Sequence, residues 1–252
     1  MHLAMPADIS LPQLILIAAV AVITSIVGGL AGYGTGALMP LVLVPIVGPE
    51  PVVPIIAFSA LFTNTSRATA FRTAIDWRRA AIVLVFATPT CLLGAWGYTA
   101  LSGKGVMAVI GTMMCASVPL RRVAIRSGFK LGERALAAAS VGWGIVVGGT
   151  SGAGIILLSL LLAAGLQGAA VIATDAAISV AIGVAKIAVF GVAGVVNAQV
   201  IAVAVLIGLA AFPGAFVAKR LVDRLSLRAH IAILDAVVLA GGGAMILGAL
   251  TR

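Results

Sequence analysis

Val27-Gly28-Gly29-Leu30-Ala31-Gly32-Tyr33-Gly34 returns as Val147-Gly148-Gly149-Thr150-Ser151-Gly152-Ala153-Gly154, and this repeated phrase decides the fold. Gly28 and Gly148 stand 120 residues apart in a chain of 252, close to half its length. Each copy sits inside a long apolar stretch. A glycine-rich break in a membrane segment, present once per half, is the sequence pointer to the binding site of a secondary transporter.

Outward from the two breaks, the composition is that of a membrane protein. The chain is 62% hydrophobic and only 9% charged, with a mean hydropathy of +1.25. A soluble domain carries about 25% charged residues. Apolar runs long enough to cross a bilayer, roughly 20 residues, recur along the whole length and leave no stretch for a soluble domain. The first, from Leu11, has no Lys or Arg ahead of it and flows into further spans, as expected of a first span rather than a cleaved signal peptide. The net charge of +9 fits basic loops on one side of a membrane better than nucleic-acid binding. Cys91 and Cys115 lie in apolar runs and read as small buried hydrophobes. No cluster of His, Cys or acidic residues calls for a metal, and no cofactor is expected. The absence of a GxxxxGK[ST] loop excludes ATP-driven transport by this chain alone.

Apolar segments are expected at about 11–30, 35–47, 51–71, 80–99, 105–120, 135–150, 153–165, 168–190, 199–218 and 229–250. Those at 35–47 and 153–165 are too short to span, and each follows a glycine break. Thirteen of the 16 Lys and Arg residues fall in three clusters. Arg67, Arg72, Arg78 and Arg79 form one. Arg121, Arg122, Arg126, Lys130 and Arg134 form the second, and Lys219, Arg220, Arg224 and Arg228 the third. The positive-inside rule places all three in the cytoplasm. If each broken segment crossed the membrane once, three crossings would separate the second cluster from the third and put them on opposite sides. If each is instead a hairpin that enters and returns, every cluster lands inside, and both termini and the uncharged loop 191–197 land outside. The reading is therefore an all-α integral membrane protein of two inverted repeats, each with a glycine-broken re-entrant helix hairpin plus three transmembrane helices. The first repeat covers 1–123, a basic cytoplasmic linker 124–134, and the second repeat 135–252. Inverted repeats meeting at the midplane are the usual architecture of alternating access.

A broken hairpin aims helix termini into the membrane. The second half-helix of each pair begins near Gly34-Thr35-Gly36 or Gly152-Ala153-Gly154, where free N–H groups carry roughly half a positive charge and attract an anion. Tyr33, Thr35, Thr150 and Ser151 add hydroxyls. Gly28, Gly32 and Gly36 also form a GxxxG series, which serves close helix packing on its own. Two cations lie 119 residues apart, matching the repeat: Arg67 near the inner end of 51–71 and Lys186 within 168–190. Each belongs to a polar stripe, Ser59, Thr63 and Arg67 with Asn64 beside them, and Asp175, Ser179, Gly183 and Lys186. Both cations either meet the substrate or snorkel to headgroups. Asp175, about 16 Å along the helix from Lys186 at 1.5 Å per residue, is a candidate proton relay or a helix cap. Asp235 is expected to pair with Arg228. Asp76 and Trp77 read as a helix cap and an interfacial aromatic.

These residues resemble the TauE/SafE sulfite exporter family of bacterial anion permeases. The likeness is carried by Gly32-Tyr33-Gly34-Thr35-Gly36 with Pro40, by Ser59-Ala60-Leu61-Phe62-Thr63-Asn64, by Ala74-Ile75-Asp76-Trp77, and by the second copy from Gly148 to Gly154. Thr35 stands where a further glycine is typical, and Gly154-Ile155-Ile156 lacks the glycine triplet. The resemblance implies a secondary transporter in the cell inner membrane, moving sulfite, a sulfonate or a related organic anion outward under proton or potential coupling. Its binding residues would then be Tyr33, Gly34, Thr35, Ser59, Thr63, Asn64, Arg67, Thr150, Ser151, Gly152, Ser179 and Lys186.

Two other functions fit part of the sequence. Gly149-Thr150-Ser151-Gly152 matches the GxSG of rhomboid-type intramembrane serine proteases, with His2 and His230 as the candidate bases. A passive anion channel would share the architecture. The expected partners are a small anion and the bilayer, without nucleic acid. A homodimer is compatible with a six-span body, from the general prevalence of two-fold assemblies.

Overall fold

The computed structural model describes residues 9–31, 35–127, 130–221 and 227–251, and every element among them is helical. α1 (Leu11–Ala31) and α2 (Thr35–Val47) flank the first glycine break. α3 (Val52–Ala70), a 3-10 turn (Arg72–Ala74), α4 (Trp77–Thr99) and α5 (Gly103–Ser127) follow. α6 (Glu133–Gly149) and α7 (Gly154–Ala163) flank the second break. α8 (Ala169–Val192), α9 (Ala198–Ala211), α10 (Gly214–Leu221) and α11 (Leu227–Thr251) complete the chain. Among the described residues, four stretches have the length and apolarity to cross a membrane: 77–99, 103–120, 169–192 and 198–218. α2 and α7, 13 and 10 residues long, are too short. The chain is a multi-pass membrane protein.

Hydrogen bonds fix which helix ends meet. At one end of the bundle, Leu131 N–H donates to Ala163 O at 2.7 Å, so the chain entering α6 lies beside the end of α7. The Arg78 side chain bridges to Glu133 at 2.8 Å, bringing the start of α4 to the same end. Asp76 N–H donates to Thr174 Oγ1 there as well, at 2.9 Å. At the other end, Tyr98 OH donates to Glu50 O at 2.8 Å, placing the close of α4 beside the segment that follows α2. Tyr98 also stands edge-on to Phe190 near the close of α8, with ring centroids 5.6 Å apart. α7 thus ends where α4 begins, and α2 ends where α4 ends.

The following packing pairs join one half of the chain to the other. α4 packs on α6, while α9 and α10 pack on α1. α3 packs on α8, α5 on α11, α7 on α5 and α2 on α11. Small residues let the backbones close in at the α4–α6 seam. A Cβ added to Gly144 would strike Ala87 O and one on Gly148 would strike Cys91 O, so these two glycines serve helix contact. Cys91 is fully buried there, whereas Cys115 is only half-buried.

One expected span is interrupted, and one expected ion pair falls on a side chain outside the described residues. The stretch expected as one span at 199–218 has the length and apolarity of a single crossing, and its helix is interrupted between α9 and α10 at Pro213, which has no N–H to continue the ladder. Hydroxyls take up the freed carbonyls: Ser25 Oγ donates to Ala211 O and Ser66 Oγ to Phe212 O, both at 2.5 Å. Asp235 is held across the halves by Arg122 at 3.2 Å; the Arg228 side chain lies outside the described residues. Asp76 does cap α4, accepting from Arg79 N–H at 2.9 Å.

Candidate functional site

A cavity of about 140 Å³ lies where the two broken hairpins meet α3 and α8. Its wall is built from both halves. Thr35 and Gly36 come from the start of α2, and Thr63, Asn64 and Arg67 from α3. Thr150, Ser151 and Gly152 come from the second break, and Asp175, Ser179 and Lys186 from α8. Ile56, Ala57, Ala60 and Ile182 supply an apolar side. That volume holds several water molecules, each needing about 10–15 Å³ by this measure, or one small polyatomic ion.

Sequence periodicity explains why these side chains converge. Thr63 and Arg67 are one helical repeat apart on α3, as are Asp175 and Ser179 on α8, and α3 and α8 lie against each other. The two stripes therefore face one another across the cavity. Ser59 is the exception: it is not among the lining residues, and its hydroxyl donates to Ile56 O within its own helix at 3.2 Å. Tyr33 and Gly34 lie outside the described residues.

The second break is a turn held open by defined contacts. Gly152 has φ +83, the left-handed region that glycine adopts without strain. It touches the other half: a Cβ on Gly36 would stand 3.2 Å from Gly152 N, so the second break meets the start of α2 backbone to backbone. Lys186 reaches this turn from α8 and donates to Val147 O at 2.7 Å and Thr150 O at 2.9 Å. These carbonyls belong to the end of α6, where the helix leaves acceptors unsatisfied and favours a cation. On the other side Trp143 Nε1 donates to Ala153 O at 3.0 Å. Lys186 is only 6% exposed. It does not snorkel to a headgroup; it clamps the break.

Beyond the turn, α7 begins at Gly154 with its N-terminus at the cavity. Ser151 Oγ is buried there and has no hydrogen-bond partner among the described residues. A buried hydroxyl without a partner is a costly arrangement, and one beside a helix N-terminus is placed to donate to an anion.

Across the cavity Arg67 donates to Asn64 Oδ1 and, at 3.1 Å, to Asp175 Oδ2. Asp175 is 1% exposed, and its Oδ1 has no partner among the described residues. Asp175 does not cap α8, whose cap position is Gly168. Sequence reasoning missed this pair, because the carboxylate was measured only against Lys186 on its own helix. It also missed Ser25, which lines the cavity from α1, and the Trp143 brace. The serine-protease reading needs a histidine on Ser151. The side chains of both His2 and His230 lie outside the described residues, and Ser151 Oγ meets no base among those described.

The family model described as sulfite exporter TauE/SafE matches residues 17–245, nearly the whole chain. No curated protein and no solved structure matches significantly. The family match spans far more than half of the sequence, and the chain belongs to the TauE/SafE sulfite exporter family, a family of membrane transporters rather than enzymes.

Proposed function

We propose that the protein carries one small sulfur oxyanion, sulfite or a compact sulfonate, outward across the bacterial inner membrane by alternating access, with the anion held between the two glycine breaks. The observation that carries this reading is the convergence at one cavity of the α7 N-terminus, the unpartnered Ser151 hydroxyl, Arg67 and the cation-braced turn at Gly152. Helix dipole and hydroxyl give directional donors, and the buried cations raise the local potential for an anion.

The two halves act as inverted repeats. The opposite placement of the α2 and α7 ends supports this, since one closes beside Tyr98 and the other beside Leu131. So does the pairing of each helix with its counterpart's neighbours, α4 on α6 against α9 on α1. Arg78, Arg79, Lys130 and Arg134 belong to the end of the bundle where α4 and α6 begin, which becomes the cytoplasmic face under the positive-inside rule. Transport is coupled to protons or to the membrane potential.

The test is flux of labelled sulfite in proteoliposomes. The parent exchanges external for internal sulfite above protein-free vesicles, and Ser151→Ala raises the KM about tenfold, the equivalent of one lost hydrogen bond to a charged group. Exchange equal to protein-free vesicles for the parent would reject the reading.

A further inference from the structure

We propose that Asp175 is a built-in competitor of the transported anion for Arg67, and that this competition ties each anion to one proton. The inference rests on the anion-transport reading and assigns that site its coupling device. The Asp175 carboxylate lies inside the cavity, paired through Oδ2 to Arg67 at 3.1 Å. Its other oxygen is buried and unpartnered among the described residues. Buried polar atoms are normally satisfied, so an empty acceptor in a functional cavity marks a group that changes partner or protonation in the working cycle.

The charged groups around Asp175 leave Arg67 as its partner. On α8 itself, Lys186 is committed to Val147 O and Thr150 O. The 3-10 turn packed on α8 carries Arg72, which is exposed. At the start of α4, Asp76 and Arg79 hold each other at 2.5 Å, and Cys91 lies further along the same helix. α7 has no titratable residue. At the start of α6, Glu133 bridges to Arg78 and Arg134 is exposed.

When an anion enters, it and the ionised carboxylate repel each other across the same guanidinium, in surroundings that screen poorly. A proton on Oδ1 removes the conflict. The Arg67–Asp175 ion pair then opens, Arg67 donates to the anion, and the neutral carboxyl becomes a donor. When the anion leaves on the far side, Arg67 returns to Oδ2 and the proton departs. Binding linkage is reciprocal, so anion and proton raise each other's affinity and cross together. One negative charge leaves with one proton. Export of a monoanion then runs on its own concentration gradient, and an acidic exterior slows it.

The experiment uses the full chain in proteoliposomes, with an internal pH dye and labelled sulfite, against protein-free vesicles. For the parent, sulfite efflux carries protons out and alkalinises the lumen beyond the protein-free rate. An imposed inward proton gradient concentrates sulfite inside. In Asp175→Asn the gradient-driven accumulation falls to the protein-free value while sulfite counterflow persists, and the pH profile of counterflow becomes flat. Asp175→Glu restores both. Sulfite efflux by the parent without proton movement overturns the inference even if Asp175→Asn does not fold. An Asp175→Asn protein that keeps the parent's pH profile overturns it too. Absence of counterflow in the parent rejects the transport reading and this inference with it, a result distinct from counterflow without protons.

Discussion

Single residues decide whether the second break can serve as a site. Gly152 turns the chain with φ +83. An alanine there would take on a left-handed cost of about 1–2 kcal/mol, while its Cβ would sit at an ordinary 3.5 Å from Gly36 O. Gly152→Ala should therefore lower thermal stability modestly and slow sulfite exchange. Gly194→Ala, at φ +70 with nothing near the added Cβ, should cost similar stability and leave exchange intact. Equal exchange in both variants would show that the turn plays no part in transport. Trp143 makes a second prediction at this scale. Trp143→Phe keeps the aromatic bulk but removes one of the two hydrogen bonds that Ala153 O accepts, leaving the one from Ile156 N–H at 3.1 Å, at about 0.5–1.5 kcal/mol. A melting curve in detergent should fall accordingly; an unchanged midpoint would mean that the Nε1 bond at 3.0 Å contributes nothing. The glycine phrase was legible in the sequence because glycine is rare among strong helix formers. The Trp143 brace was not, since an indole in an apolar run reads as bulk until a carbonyl is known to lie within its reach.

At the scale of elements, the apolar pattern located nearly every helix, from α1 to α11, because hydrophobic length is a strong signal in a bilayer. It located the stretch at 198–218 but not the interruption at Pro213, where the apolar run continues across a break that the missing N–H imposes. The breaker stood in plain view, but the two hydroxyls that make the break tolerable come from Ser25 and Ser66, far away in sequence. The start of α4 was legible, and it yields a prediction about acid. Asp76 accepts from Arg79 N–H, and that bond holds its carboxyl below the usual carboxylate range. A lowered folded pKa means stabilisation present above the unfolded value, near 3.9, and lost as pH falls through the folded one. Asp76→Ala should cost about 1 kcal/mol near neutral pH, as for other caps, and the gap between variant and parent should close below about pH 4. A gap that is constant down to pH 2 would show that the carboxylate is not the cap.

For the whole molecule, the composition and the recurring apolar runs implied an all-helical membrane body, and the helices together with the family match over 17–245 bear that out. The position of the site followed from the repeat, since Arg67 and Lys186 share the 119-residue offset and both line the cavity. The division of labour between them did not. Periodicity shows which face a side chain occupies, not which partner it meets across a helix interface. Lys186 meets the carbonyls of a broken helix, and Arg67 meets a carboxylate 108 residues away. Long-range pairs of this kind are set by how helices dock, which a local pattern does not record.

The central claim is that a small oxyanion rests between the two glycine breaks. Its most direct measurement is a crystal of the full chain grown with selenite, the heavier analogue of sulfite, read by selenium anomalous scattering from a methionine-sulfur protein. The account predicts one anomalous peak in the cavity, within hydrogen-bond reach of Ser151 Oγ and the N-terminus of α7, and on the Arg67 side of Gly152. A peak elsewhere in the molecule, or an empty cavity at saturating selenite, would contradict it.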